Sequence, residues 1–167
     1  MFLRTTFGLI TATFMAITVM AQQPPGKPQF LDVPDKTVTY ISAADVQALI
    51  ARAKKERKNN AALVVAKVLQ LAPYGTYLEY RANSNPLANV GLHPKEAELI
   101  YVLQGAGTLV TGGKMAADEM SIDGGDSQKI GKGDFIFIPE NTPHWINHID
   151  RTIVLMSIHV PRPVPAQ

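Results

Sequence analysis

The stretch of sequence that decides the fold reads His93-Pro-Lys-Glu-Ala-Glu98-Leu-Ile-Tyr-Val-Leu-Gln-Gly105. A second stretch further along the chain reads Gly133-Asp-Phe-Ile-Phe-Ile-Pro139-Glu-Asn141-Thr-Pro-His144. In each stretch, a run that is typical of a β-strand adjoins a histidine or a glutamate. Two imidazoles and a carboxylate are a natural ligand set for a divalent transition metal. The sequence therefore predicts a metal site formed by His93, Glu98 and His144, provided that the fold brings them together.

The segments around these two stretches predict an all-β fold preceded by one helix. Short apolar or alternating runs are separated by turns containing Gly112-Gly113 and Gly124-Gly125, which is typical of an antiparallel sandwich or barrel. The predicted strands cover residues 61–71, 74–81, 90–93, 98–103, 105–111, 119–122, 127–130, 134–138, 144–149 and 152–160. Upstream, Ser42 and Asp45 form a capping-box pattern before apolar residues at helical spacing, which predicts a helix that packs against the sheet.

The two ends of the chain differ in composition from its centre. Arg4 precedes an apolar stretch that ends in Val19-Met20-Ala21, so residues 1–21 are predicted to be a signal peptide. Export to the periplasm or the medium would leave 146 residues without a stable membrane span, enough for one core. The predicted organisation is then a flexible leader at 22–36, a single domain at 37–160 that begins with a short strand at 37–41, and a proline-rich tail at 161–167.

The composition excludes several classes of protein. The absence of cysteine rules out zinc ribbons, thioredoxin-like redox sites and cysteine nucleophiles. Without Arg4 the 16 basic residues become 15, against 14 acidic residues, which leaves a net charge of +1. A nucleic-acid-binding protein would normally show a strong basic stripe, so no nucleic-acid partner is expected.

Taken together, the two stretches resemble the two motifs of the cupin superfamily, whose members are β-barrels with a metal at the centre. The first family motif has a glycine, a His-x-His pair, a glutamate and a glycine, and this chain matches it at His93, Glu98 and Gly105. The second motif is matched at Gly133, Pro139 and His144. Its remaining glycine is replaced by Asn141, a residue type that can also adopt left-handed backbone angles. The resemblance covers about residues 63–160. It implies a cupin-type antiparallel β-barrel, jelly-roll-like, with one N-terminal helix.

One position departs from the family motif. Gly91 stands where the first histidine of the pair is expected, so the four ligands that the resemblance implies are reduced to three. Three interpretations remain open. The site has three ligands, as in a facial triad; the missing ligand is replaced by Glu96, Glu79 or His148; or metal binding is lost and the barrel only binds a ligand.

Other polar residues near the motifs are weaker candidates. His148 lies four residues after His144 on the same strand face, so it is a candidate to support the metal ligands or to contact substrate. Tyr80 and Arg81 precede the motif loop, and an inward Arg81 would hold an anionic substrate, with a surface position as the alternative. His159, on the last strand, is expected to be an ordinary strand histidine.

The resemblance implies two classes of function. In the first, a metal-dependent enzyme acts on a small molecule as a dioxygenase, isomerase or lyase, and Glu96 or Glu98 transfers a proton. Iron or manganese is the favoured metal, with zinc or nickel as alternatives. In the second, a non-catalytic module binds a small ligand or a metal. Cupins resemble one another in pairing through edge strands and swapped termini, so a homodimer is also expected.

Overall fold

The structure is a computed structural model that describes residues 26–33, 40–85 and 87–162. The predicted signal peptide lies outside the described residues, as do most of the predicted 37–41 strand and the end of the tail from residue 163. Within the described part of the chain, no helix has the length and apolar character needed to cross a membrane.

The described residues contain one helix and nine strands. The helix, α1, is Ala43–Glu56. The strands are β1 Gln29–Phe30, β2 Leu63–Leu71, β3 Tyr74–Ala82, β4 Glu96–Thr111, β5 Lys114–Met115, β6 Ile122–Asp123, β7 Asp126–Gly131, β8 Phe135–Ile138 and β9 His144–Pro161. The prediction of an all-β fold with one N-terminal helix is confirmed.

The main sheet has the strand order β1-β2-β3-β9-β4-β7, and β8 pairs with β4. Every pairing in this sheet is antiparallel except that of β1 with β2. The hydrogen-bonded path is open, so backbone pairing among the described residues does not close the sheet into a barrel. The short strands β5 and β6 form a separate hairpin.

The two longest strands were each predicted as two shorter ones, and this prediction was wrong. The predicted strands 98–103 and 105–111 are both parts of β4, and 144–149 and 152–160 are both parts of β9. The β4–β9 register shifts at three places, including the segment between Gly105 and Gly107. Gly105 has a φ of 81°, which a residue without a Cβ adopts at no steric cost. A bulge therefore bends the strand without ending it.

Clusters of buried apolar residues lie on both faces of the sheet. On one face, Ile50 and Ala53 of α1 pack against Val64 and Leu78, with the Ser42–Asp45 capping box at the start of the helix as predicted. A second cluster, around Ile100, Val102, Ile153 and Leu155, covers the other face. Side chains two residues apart share a face of a strand. Glu98 therefore lies on the same face as Ile100, and His159 on the same face as Leu155, at one end of the second core.

Candidate metal centre

The loop that bears His93 is fixed to the second motif stretch by backbone hydrogen bonds. Residues 90–93, predicted as a strand, make only an isolated bridge, in which the amide of Gly91 donates to the His144 carbonyl at 2.8 Å and the reverse bond is 3.0 Å. The Asn141 amide donates to the His93 carbonyl at 2.7 Å. Asn141 has a φ of 55°, the left-handed conformation anticipated for a residue in place of glycine. These bonds hold His93 and His144 side by side.

The predicted trio of His93, Glu98 and His144 comes together around the Glu98 carboxylate. Nε2 of His144 lies 3.0 Å from Oε2 of Glu98, and Nε2 of His93 lies 3.6 Å from the same oxygen. The two imidazole rings are 5.3 Å apart between centroids. The three ligand atoms all lie within 4.8 Å of one another, a separation that allows them to bind one metal ion.

The hydrogen bonds around this cluster leave the carboxylate short of a partner. Nδ1 of His144 lies 3.1 Å from the Thr142 carbonyl, which can only accept a hydrogen, so Nδ1 carries one. In a neutral imidazole the Nε2 lone pair then faces Glu98. Oε2 of Glu98 is buried and has no hydrogen bond within the described part of the chain, despite the close imidazoles. A buried ionised oxygen of this kind requires a proton or a cation.

The electrostatics of the cluster agree with that requirement. Burial acts to raise the pKa of Glu98, but the imidazoles of His144 and His93 outweigh it and hold the pKa below its usual range. The Glu98 carboxylate in turn raises the pKa of His93, against the opposing effect of partial burial. The Glu98 carboxylate and a protonated His93 imidazole therefore stabilise each other. A metal ion bound here would take the place of that proton.

Gly91 is required by the position of the His144 ring. A Cβ built on Gly91 would lie 2.3 Å from Nε2 of His144 and 2.7 Å from Cε1, far inside van der Waals contact. The imidazole of His144 occupies the space into which a side chain at 91 would project. With the ring in this place, the family's first histidine cannot be accommodated, and residue 91 contributes no ligand.

The three proposed replacements for the missing ligand have different surroundings. His148 has an exposed side chain that contacts Asp150, and it belongs to neither candidate metal-binding group among the described residues. The carboxylate of Glu79 is occupied, because its Oε2 accepts from Nε of Arg81 at 2.8 Å and its Oε1 accepts from the Ser157 hydroxyl at 3.3 Å. Glu96 lies close to the cluster, but its carboxylate is hydrogen-bonded to His159 at 2.9 Å.

A cavity of about 430 Å³ opens beside the cluster. Its wall includes the three predicted ligands and Arg81, together with apolar residues of β2 and of the segment around β1. Arg81 thus points inward, as one alternative expected, but its guanidinium is neutralised by Glu79. Tyr80 is not part of the wall, because strand alternation turns it to the opposite face, where it packs under α1. Glu96, expected to transfer a proton, is also absent from the wall.

His159 was predicted to be an ordinary strand histidine, but the structure places it at the site. It lines the cavity, and its Nε2 lies 3.8 Å from Oε1 of Glu98. The available signal was strand alternation: His159 follows Ile153, Leu155 and Ser157 at steps of two, so it shares the inward face with apolar residues. That pattern alone does not indicate which residue lies opposite it.

Comparisons with known proteins found one family match and several similar solved structures. Residues 87–159, which include all the cluster residues, match the family model described as the cupin domain. No curated protein has a matching sequence. The chain is similar to a protein from Bacillus halodurans, with 16% identity over 77% of this chain and 85% of that one and a TM-score of 0.45. A protein from Thermus thermophilus is 19% identical over 66% and 93% of the two chains, with a TM-score of 0.47. The cupin domain of Schizosaccharomyces pombe Cnp3 is 11% identical over 65% and 71%, with a TM-score of 0.47.

Proposed function

We propose that the chain is a cupin, since residues 87–159 match that family model, and that it binds a divalent transition metal through His93, Glu98 and His144. The observation that supports this most directly is the buried Oε2 of Glu98, which lacks a hydrogen bond although two imidazole nitrogens approach it. A cation between these three groups would satisfy the carboxylate oxygen and both nitrogen lone pairs together. Neutral imidazole and carboxylate are the donors that borderline divalent metals prefer.

Iron or manganese is the metal that we propose, with zinc or nickel as alternatives. Two imidazoles and one carboxylate, without any thiolate, form the donor set of the facial triad that binds non-haem iron. Such a metal acts as a Lewis acid on an oxygen of the molecule bound next to it. The chain's own contribution would be to orient that molecule, because apolar residues line the cavity beside His93 and His144.

The proposed substrate is a small molecule, and the proposed reaction is that of a dioxygenase, isomerase or lyase. A cavity of about 430 Å³ is within the range of small-molecule sites. Its charge limits the substrate further, because Arg81 is neutralised by Glu79 and provides no unpaired cation for a strongly anionic group. We therefore propose a substrate that is neutral or weakly charged.

A non-catalytic binding module is the second candidate, and Gly91 is the observation that favours it. Loss of the family's first histidine removes one motif ligand, which weakens any metal site built only from the motifs. In this case the cavity would bind its ligand without help from the metal. Ligand binding that is the same with and without metal, and in His93→Ala, would favour the module over the enzyme.

Elemental analysis of the purified protein tests the metal proposal. We expect close to one equivalent of metal in the wild type and much less in His144→Ala. His148→Ala is the matched control, because it removes an exposed histidine from the same strand and should keep its metal. Circular dichroism of each variant separates loss of metal from loss of fold. Equally low metal in the wild type and in His144→Ala would refute the proposal.

We also propose that the protein is exported and forms a homodimer. Cleavage after Ala21 predicts a mature chain that begins at Gln22, which intact mass of the exported fraction would measure. An uncleaved chain retained in the cytoplasm would contradict export. Light scattering of the purified mature protein distinguishes a dimer from a monomer.

A further inference from the structure

We propose that His159 is a fourth ligand of the metal centre and takes the place of the histidine that Gly91 lacks. This inference rests on the proposed metal site of His93, Glu98 and His144. Glu98 and His159 are register partners on the antiparallel strands β4 and β9, an arrangement that brings their side chains next to each other. Nε2 of His159 lies 3.8 Å from Oε1 of Glu98, while the other two imidazoles approach Oε2 at 3.0 and 3.6 Å. Three Nε2 atoms thus surround one carboxylate.

The hydrogen bond to Glu96 gives His159 the tautomer of a metal ligand. Nδ1 of His159 lies 2.9 Å from Oε2 of Glu96. An ionised carboxylate only accepts hydrogen bonds, so Nδ1 carries the hydrogen and a neutral ring has its lone pair on Nε2, the atom facing Glu98. Metal-binding histidines commonly donate their second ring nitrogen to a carboxylate or a carbonyl, which fixes the ring. His144 shows the same arrangement with the Thr142 carbonyl.

Neighbouring rings hold His159 in this orientation. Its ring packs edge-to-face against His93, with centroids 4.4 Å apart, and against Tyr77 at 5.0 Å. The side chain is only 18% exposed. Glu96 therefore acts as a positioning residue for a ring that is already restrained by packing, and little movement is needed for Nε2 to reach a metal on Glu98.

The other histidines and acids near the site do not offer an equivalent donor. Of the four histidines in the chain, His148 is exposed, and it lies in neither the cavity wall nor a candidate metal-binding group of the described residues. Glu79 is engaged by Arg81 and Ser157. Since His144 fills the space next to Gly91, a fourth protein ligand has to come from another strand. His159 meets this requirement from the opposite side of Glu98.

Metal binding by His159→Asn tests the proposal. Asparagine can still donate a hydrogen bond from near the Nδ1 position to Glu96, but it lacks the atom that corresponds to Nε2. We expect its affinity for Co²⁺, measured by competition with a chelator, to fall about 10-fold or more relative to the wild type. His148→Asn is the matched control, with the same chemical change at an exposed site, and should bind Co²⁺ as the wild type does. Glu96→Gln should fall between the two.

Proton NMR of the Co²⁺-loaded protein adds a readout that counts ligands. Each imidazole that binds through Nε2 gives a strongly shifted, exchangeable Nδ1–H signal. The signal of His159 should be present in the wild type and absent in His159→Asn.

Unchanged affinity together with an unchanged set of shifted signals would overturn the assignment of His159 and leave the three-residue site intact. Two Co²⁺ ions per chain would also overturn it, because His93, Glu96 and His159 would then form a separate site. A wild type that binds no Co²⁺ would overturn both proposals.

Discussion

Replacing Gly91 by alanine should damage the metal centre through a single steric contact. The new Cβ would lie 2.3 Å from Nε2 of His144, whereas ordinary contact begins at 3.4 Å, so the ring must move by about 1.1 Å. That ring is buried, and its Nδ1 is bonded to the Thr142 carbonyl. The bridge between the backbones of residues 91 and 144 prevents the two segments from separating. The contact can therefore be relieved only at the expense of the His144 position.

The expected magnitude follows from this displacement. Overpacking of a close-packed site costs about 1–3 kcal/mol, which for a domain of this size lowers the unfolding midpoint by roughly 2–12 °C. Metal–ligand distances tolerate only about ±0.2 Å, so a shift of about 1.1 Å removes His144 from the coordination sphere. Metal affinity should fall by about 100-fold or more, since even the loss of an indirect partner costs about 10–100-fold.

Gly131→Ala provides the matched control. Gly131 has ordinary backbone angles, and a Cβ there would meet no atom within 4 Å. Both substitutions restrict the unfolded chain equally, an effect worth about 0.4–1 kcal/mol, so comparison of the two isolates the steric term. Thermal unfolding of the metal-free proteins and metal titration by calorimetry measure the two effects. If Gly91→Ala matched Gly131→Ala in midpoint and bound metal like the wild type, the steric argument would be refuted.

Three further predictions concern stability. Ser42→Ala removes the side chain that accepts from the Asp45 amide at 3.1 Å, and should destabilise the protein by about 1 kcal/mol in urea unfolding; an unchanged midpoint would show that α1 does not depend on its cap. Leu78→Ala leaves a cavity at a fully buried position and should lower the free energy of unfolding by about 2–5 kcal/mol. Leu71→Ala, at a position that is 48% exposed, should change it by no more than about 0.5 kcal/mol. Equal losses in the two variants would contradict the burial of Leu78 under α1. Metal at about a hundredfold excess over its Kd should add about 2.7 kcal/mol to the free energy of unfolding, and a chelator should remove this gain. An unfolding midpoint that responds to neither would count against a metal site formed by the folded state.

The residues that could be predicted from the sequence belong to short, local patterns. The capping box of Ser42 and Asp45 involves neighbours along the chain, and helical spacing of apolar residues marks the face that packs on the sheet. The turn at Asn141 was expected to take left-handed angles, because asparagine tolerates them where the family motif has glycine. The same local patterns were misleading around Gly105, because they predicted one strand that ends at residue 103 and another that begins at Gly105. The structure has a bulge within one long strand there instead.

By itself, the sequence determined that this chain forms an antiparallel β-fold and that His93, Glu98 and His144 are its ligand candidates. Alternation and motif spacing specify which side chains point inward, because the side-chain period of a strand is fixed by its backbone. Only the tertiary structure decided what surrounds Glu98. His159 pairs with Glu98 because of the register between β4 and β9, and that register shifts at three bulges along the two strands. Likewise, the space next to Gly91 is filled by the ring of His144, the last residue of the second motif stretch. Distances of this kind depend on how strands pair, and they cannot be derived from spacing along the chain.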